Sequence, residues 1–285
     1  MVVSPHLHEL GEFLKLRRSA LTPAQVGLPE LGHSVRRVPG LRREEVAQLV
    51  AISTDYYMRI EQGRLVPSPS VLAALVRELR LTADQAAYVE GLVGQAAQAG
   101  RRPVARRRTS KPRLHPHLAR LMGQLHGTPA LVFGPRLDIL AWNRLAAALL
   151  HDFATVPEGQ RNYVRMVFTD PVMREIYPDW EDVARTCVEV LRMEAGTNPT
   201  DPALSELVGE LSIADADFRA WWAEHRVAHQ DFGSKRITHP QVGELTLDWD
   251  TFRYAGAPDQ QLVLWSAEPG SVAHERLEEL ARRSA

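Results

Sequence analysis

Apolar residues recur at helical spacing through Gly40 to Gly63, GLRREEVAQLVAISTDYYMRIEQG. Wound at 3.6 residues per turn, Leu41, Val46, Ala47, Val50, Tyr57 and Ile60 fall on one continuous stripe. Ser53 is suited to cap a helix starting at Thr54, because its hydroxyl can accept from a backbone N–H that lacks a partner inside the helix. The chain therefore turns at Ala51 and Ile52, and small Ala47 sits where the two helices must cross closely. The second helix, Thr54 to Glu61, turns Thr54, Asp55, Met58 and Arg59 outward, with Gln62 and Arg64 just past its end. Two short helices joined by a tight turn, the second presented rather than buried, is the layout of a DNA-binding helix-turn-helix. The same layout occurs in helical hairpins that touch no nucleic acid.

The pattern on either side completes an all-α N-terminal domain. A first helix is expected over His6 to Ser19, with Leu7, Leu10, Phe13, Leu14 and Leu16 inward. The Pro- and Gly-rich run LTPAQVGLPELGHSVRRVPG is too broken for a regular element. Helices near Ser70 to Leu79 and Thr82 to Val93, each opened by a hydroxyl cap, close the bundle and supply Val71, Leu72, Leu75, Val76, Leu79 and Leu81. Beyond residue 113 the pattern changes. After a short helix (His117 to Leu125), ALVFGPRLDILAW reads as a hairpin around Gly134-Pro135-Arg136 that leads into a helix. Helices follow over Asn162 to Phe168, Pro171 to Tyr177, Asp179 to Ala195, Asp201 to Leu211 and Asp215 to Arg226. Alternation returns in KRITHP, GELTLDWDTFRYA and QQLVLWSAEPG, and Ser271 to Arg282 forms a last helix. Two strands, a helical insertion and three strands predict an α+β domain with a five-stranded antiparallel sheet and helices on one side, like a PAS-type sensor.

At 285 residues the chain is long for one domain. The divisions predicted are 1–98, a linker over 99–113 and 114–285. Residues 1–113 hold 18 Lys/Arg against 10 Asp/Glu, whereas residues 114–285 hold 16 against 25, so a net charge of −1 conceals a basic end and an acidic end. Seven of the basic residues lie in 101–113, which has no acidic residue and includes Arg106, Arg107 and Arg108. That segment is either a solubilising tether or one that tracks phosphates beside a bound polyanion. No uncharged apolar run approaches the roughly 18 residues of a membrane span, and the N-terminus lacks the basic start and apolar core of a signal peptide, so a cytoplasmic location is expected. The single cysteine, Cys187, excludes an intrachain disulfide and reads as a small core residue.

The run GLRREEVAQLV followed by S-x-x-YY-x-R-x-EQGR resembles the Xre-type class of bacterial helix-turn-helix regulators, and PGLRREEVA with YYxRxEQGR resembles its MmyB-like subgroup. Ala51 departs from the pattern, since such turns usually carry Gly. LDILAWNRLAAALL, RNYVRMVFTDP, YPDWEDVA, DPALSELVGELS, FRAWWAEHRV, HPQVGELTLDW and LVLWSAEPG are similar, in order, to the MmyB-type ligand-binding domain. The resemblance implies a transcriptional regulator that binds double-stranded DNA through Arg43, Ser53, Thr54, Asp55, Met58, Arg59, Gln62 and Arg64. It also implies a small hydrophobic effector, fatty-acid-like, held between sheet and helices. Leu131, Phe133, Trp142, Asn143, Met166, Phe168, Trp222 and His225 are the candidate ligand residues, with Leu264 contributing to the apolar wall. A homodimer on a twofold-symmetric operator is expected, because one such domain contacts only a few base pairs.

No enzyme signature is present: G-x-S-x-G, a P-loop, a G-x-G-x-x-G after a strand and H-E-x-x-H are all missing from the sequence, and no cofactor is expected. His225 and His229, four apart beside Glu224, are the best metal pair if the helix continues through them, but no third ligand is evident and no metal is expected. Trp142 and Asn143 read either as a core tryptophan with a helix-capping asparagine or as cavity wall. The competing reading of the whole is a small-molecule-binding protein or enzyme whose helical N-terminus is a protein-interaction module.

Overall fold

The computed structural model describes residues 4–29, 40–99 and 113–284. Arg36 and Arg37 and the basic run with Arg106, Arg107 and Arg108 lie outside these residues. The described residues fall into two compact units. The first comprises the described part of Met1–Arg107 with Arg192–Pro202 and Ala223–Ala228, the second the described part of Arg108–Leu191 with Ala203–Trp222 and His229–Ala285.

In the first unit, helices α1 (Pro5–Ala20), α2 (Arg43–Leu49), α3 (Thr54–Glu61), α4 (Pro69–Glu78) and α5 (Ala83–Ala99) pack around one core. The stripe expected through the hairpin is intact: Leu41, Val46, Ala47, Val50, Tyr57 and Ile60 are all buried, as are Leu7, Leu10, Phe13 and Leu14 of α1. Leu16 is only half-buried. The fourth helix begins one residue earlier than its pattern suggested because Ser68, not Ser70, accepts from Val71 N–H and Pro69 occupies the first helical position, where its missing donor costs nothing. The fifth runs six residues past Val93, since QAAQA keeps helix formers after the apolar pattern fades.

The second unit contains a five-stranded antiparallel sheet of order β2-β1-β5-β4-β3, with β1 (Ala130–Phe133), β2 (Ile139–Trp142), β3 (Phe232–His239), β4 (Gly243–Arg253) and β5 (Gln261–Ser266). The two chain-distant pairs meet where β1 aligns with β5, Ala130 opposite Leu264 and Val132 opposite Leu262. Burial alternates strictly along β4, with Leu245, Leu247 and Trp249 inward and Thr246 and Asp248 exposed, as a sheet with one solvated face requires. The helices α8 (Tyr163–Thr169), α9 (Pro171–Ile176) and α10 (Trp180–Thr197) arise from the insertion, followed by α11 (Pro202–Ala214) and α12 (Ala216–Ala223). Helices lie on more than one side, contrary to the simplest expectation. Leu118 and Met122 of α6 (Pro116–Met122) join Ala130, Val132 and Leu262 in a separate cluster, and by alternation these positions face away from Leu131, Phe133 and Val263. Helix α13 (Val272–Arg283) closes the chain.

The expected helix over Asp215 to Arg226 stops at Ala223 because His225 takes a left-handed backbone, φ 51°. His225 and His229 therefore do not share a helix face, and His225 belongs to the first unit while His229 belongs to the second.

Candidate nucleic-acid interface and ligand cavity

The turn between α2 and α3 is closed by Ile52 N–H donating to Ala47 C=O at 2.9 Å, with Ala51 at φ 58°. A non-glycine there costs about 1 kcal/mol, which the fully buried stripe on both sides offsets. Ser53 caps α3 by accepting from Tyr56 N–H at 3.1 Å. With Tyr57 and Ile60 at 0 % exposure, the opposite side of α3 has to face solvent. Ser53, Thr54, Asp55 and Arg59 are exposed there, Met58 is half-buried, and Gln62 and Arg64 are exposed just after the helix. Arg59 Nε pairs with Asp55 Oδ2 at 2.9 Å, one turn back, which extends the guanidinium along the helix.

What holds this helix is a group that periodicity does not mark. Glu61, 6 % exposed, ends α3 pointing inward. It accepts from Arg18 Nε of α1 at 2.6 Å and from Arg43 Nε of α2 at 2.5 Å, so one carboxylate ties three helices together. Arg18 also donates to Leu41 C=O at 2.6 Å. Hydrogen bonding to Glu61 pushes the Arg43 pKa above its ordinary value. Arg43 thus carries a structural bond through Nε while its side chain stays exposed beside the recognition helix. Two glycines permit the approach: a Cβ on Gly11 would lie 2.2 Å from Glu61 O, and Gly63, at φ 66°, would meet Leu7 and His8 backbone at 2.9 Å.

The first unit contains a second polar cluster, around Glu9. Arg192 and Tyr88 each donate to Glu9 Oε1 at 2.8 Å, and a His225 ring nitrogen lies 3.3 Å from it. Burial alone would push this carboxyl up; the His225 hydrogen bond, Arg192 and Tyr88 outweigh it and hold the pKa at about 2. His225, expected as a ligand residue, is occupied here.

In the second unit a narrow cavity of about 60 Å³ opens between the sheet and α8 and α10. Phe133 of β1, Tyr163 of α8, Cys187 of α10, Lys235 of β3, Trp249 of β4 and Val263 and Trp265 of β5 form its walls, with Thr186, Thr251, Gln230 and Gln261 adding polar atoms. Of the expected ligand residues Phe133 lines it directly. Leu131 shares the inward face of β1 and is fully buried, whereas Leu264 alternates to the opposite face. Asn143 is committed to structure: it caps α7 (Arg144–Leu149) by accepting from Ala146 N–H, and donates to Leu125 and Thr128 carbonyls. Trp142 packs on Phe153 beneath Arg161. Phe168 joins Trp180 and Phe218 edge-on, and Trp222 stacks on Phe218, so these rings make an aromatic cluster of their own and do not line the cavity. Met166 lines a separate, more open cleft of about 400 Å³ with His151 and Asp170.

Lys235, Trp249 and Trp265 escaped the sequence reading although alternation places all three inward, Lys235 two residues before buried Ile237 and the tryptophans two after Leu247 and Val263. Burial pushes the Cys187 thiol up to about 11, which leaves it protonated and unreactive. Among the described residues no group of three or more His, Cys, Asp or Glu could hold a metal ion, and no helix is long and apolar enough to cross a membrane.

A helix-turn-helix with an outward polar recognition helix, joined in one chain to an α+β unit with an internal cavity, defines a ligand-regulated DNA-binding transcription regulator. A model of a helix-turn-helix domain matches residues 9–89, and the model of the MmyB-like transcription regulator ligand binding domain matches residues 114–280. The latter spans more than half of the chain, which therefore belongs to the MmyB-like family of transcription regulators. A search of curated proteins finds no match.

Proposed function

We propose that the chain reads a specific, twofold-symmetric operator as a homodimer and that a small hydrophobic, fatty-acid-like effector in the second unit's cavity adjusts its DNA affinity. The observation that carries the DNA half is the orientation of α3: its apolar side is sealed while Thr54, Asp55, Met58 and Arg59 project. Arg59, positioned by Asp55, can donate two bonds to guanine O6 and N7, worth about 1 to 3 kcal/mol of discrimination. Arg43 and Arg64, exposed near the two ends of the helix pair, suit phosphates, which fix register without reading sequence.

The effector half is supported by the apolar walls of the cavity. Its present volume is small against the 300 to 1,000 Å³ typical of ligand pockets, so an acyl chain requires Phe133, Trp249 and Trp265 to move apart. A chain that fits only the widened form distinguishes two states, as an effector must to shift their balance. Residues 1–98 serve as the DNA-binding domain and 114–285 as the effector domain.

The test is selection of bound sites from random duplex DNA by the full chain and by Arg59→Ala. A palindromic consensus that loses information at one guanine per half-site in the variant is expected. Unselective recovery of DNA by the wild-type chain contradicts the reading and favours a protein-interaction module.

A further inference from the structure

The cleft that Met166 lines differs in chemistry from the narrow cavity. Its walls are the segment 151–160, one side of α8 and the start of α9, all within the second unit, and its volume of about 400 Å³ falls in the range of roughly 300 to 1,000 Å³ typical of ligand pockets. The segment is held in shape by Arg161, which donates to Val156 C=O at 2.8 Å, and by Asp152, which accepts from Ala154 N–H at 3.1 Å. His151 and Asp170, with side chains 15 % and 21 % exposed, meet with Nε2 2.9 Å from Oδ2. In the neutral imidazole that nitrogen carries the proton and Nδ1 keeps a lone pair. Nδ1 is buried, and among the described residues nothing donates to it. Thr155 and Thr169 spend their hydroxyl protons on the carbonyls of Asp152 at 2.7 Å and Arg165 at 2.9 Å, which leaves their oxygens as acceptors. Asp170 accepts from Val172 N–H and from His151 and, as a carboxylate, has lone pairs to spare. The strong donor in the wall is already committed: Arg165 forks onto Glu210 at 2.9 and 2.6 Å, and that bonding pushes the Arg165 pKa up and the Glu210 pKa down, so the pair stays ionised and cancels.

We propose that this cleft is a second ligand site, built for a primary ammonium on a short apolar body. It does not depend on what the narrow cavity holds. With Arg165 answered, the charge left among the lining residues is the Asp170 carboxylate, and the open positions on His151, Thr155, Thr169 and Asp170 are all acceptors. Gln160, exposed, can present its amide oxygen as well. A primary ammonium supplies three donors and no acceptor, which is the complement of that set. A carboxylate would meet lone pairs on every side, and an alcohol could answer only one of them with its single proton. The apolar body follows from Val156, Pro157, Met166 and Pro171, which line the same space and which an inorganic cation would leave unused. Binding selects the neutral His151 ring, because a protonated ring would set a second cation against the ammonium.

The test is calorimetric titration of the full chain with pentylamine, pentan-1-ol and pentanoate at one pH and one salt concentration. Pentylamine is expected to bind at least about tenfold more tightly than pentan-1-ol, and pentanoate not to bind. Asp170→Asn keeps an acceptor for the α9 cap while removing the charge, and should lower pentylamine affinity at least about tenfold with pentan-1-ol held within about threefold. If that variant fails to fold, Thr155→Val combined with Thr169→Val, both at exposed positions, should lower pentylamine affinity about fivefold. No binding of pentylamine, equal affinities for pentylamine and pentan-1-ol, tighter binding of pentanoate, or a pentylamine affinity unchanged in the folded variant each overturns the proposal.

Discussion

The two units treat buried charge in opposite ways. In the first, Glu61 is buried and fully answered, with Arg18 and Arg43 on its two oxygens, and Glu9 is held by Arg192, Tyr88 and His225. In the second, among the described residues, half-buried Lys235 lies against three aromatic rings with no counter-charge, and the Trp265 N–H has no acceptor. A paired buried carboxylate fixes geometry, which suits a recognition helix that has to present the same face every time. An unpaired cation in a cavity leaves an interaction to be completed from outside, which suits a sensor.

Removing a charge should therefore have opposite consequences in the two units. The largest effect is expected from Glu61→Ala, which strands Arg18 and frees Arg43: a loss of about 3 to 5 kcal/mol in urea unfolding of the full chain. A loss below 1 kcal/mol would mean that Glu61 does not brace the bundle. Glu9→Gln comes next. Because the folded pKa of Glu9, about 2, lies below the ordinary 4.5, its contribution is complete above pH 4.5 and disappears as pH falls toward 2. That contribution is on the order of 3 kcal/mol at neutral pH, so the variant should melt lower at pH 7 and show a flatter acid limb between pH 4.5 and 2. Lys235→Met should go the other way and raise the melting temperature by about 2 to 4 °C, the effect of roughly 1 kcal/mol in a domain of this size. A lower melting temperature would remove the contrast between the units. The smallest effect is Arg64→Ala, which should leave stability unchanged and reduce the slope of log affinity against log salt by about one unit.

The difference between the units also explains what the sequence made legible. On the DNA side, function lies on the outside of a helix whose inside follows a 3.6-residue period, so Tyr57 and Ile60 announce Thr54, Asp55 and Arg59 by exclusion. Ser53 as cap follows from the same local rules, whereas the strain at Ala51, φ 58°, was signalled only by the resemblance, in which such turns usually carry Gly. In the second unit the elements were readable from alternation, but the cavity is part of the core. Trp249 and Trp265 have the same pattern as packing residues, and the family resemblance together with hydrophobicity drew attention to Trp142, Met166, Phe168 and Trp222, which pack elsewhere. Lys235 was visible in principle as a charge at an inward strand position, two residues before Ile237. Glu61 and Glu9 were not, since their partners lie 43 and 183 positions away in the chain, distances over which no local period operates.

The account depends on one coupling: occupancy of the cavity has to change DNA affinity. The measurement is the dissociation constant of the full chain on its selected operator, at fixed salt, with and without saturating decanoate, alongside the thermal shift of the same samples. At a hundredfold excess over its dissociation constant decanoate should stabilise by about 2.7 kcal/mol, and DNA affinity should change by about tenfold, or 1.4 kcal/mol. Stabilisation with an unchanged operator affinity would contradict the claim, leaving a DNA-binding protein whose ligand does not regulate it.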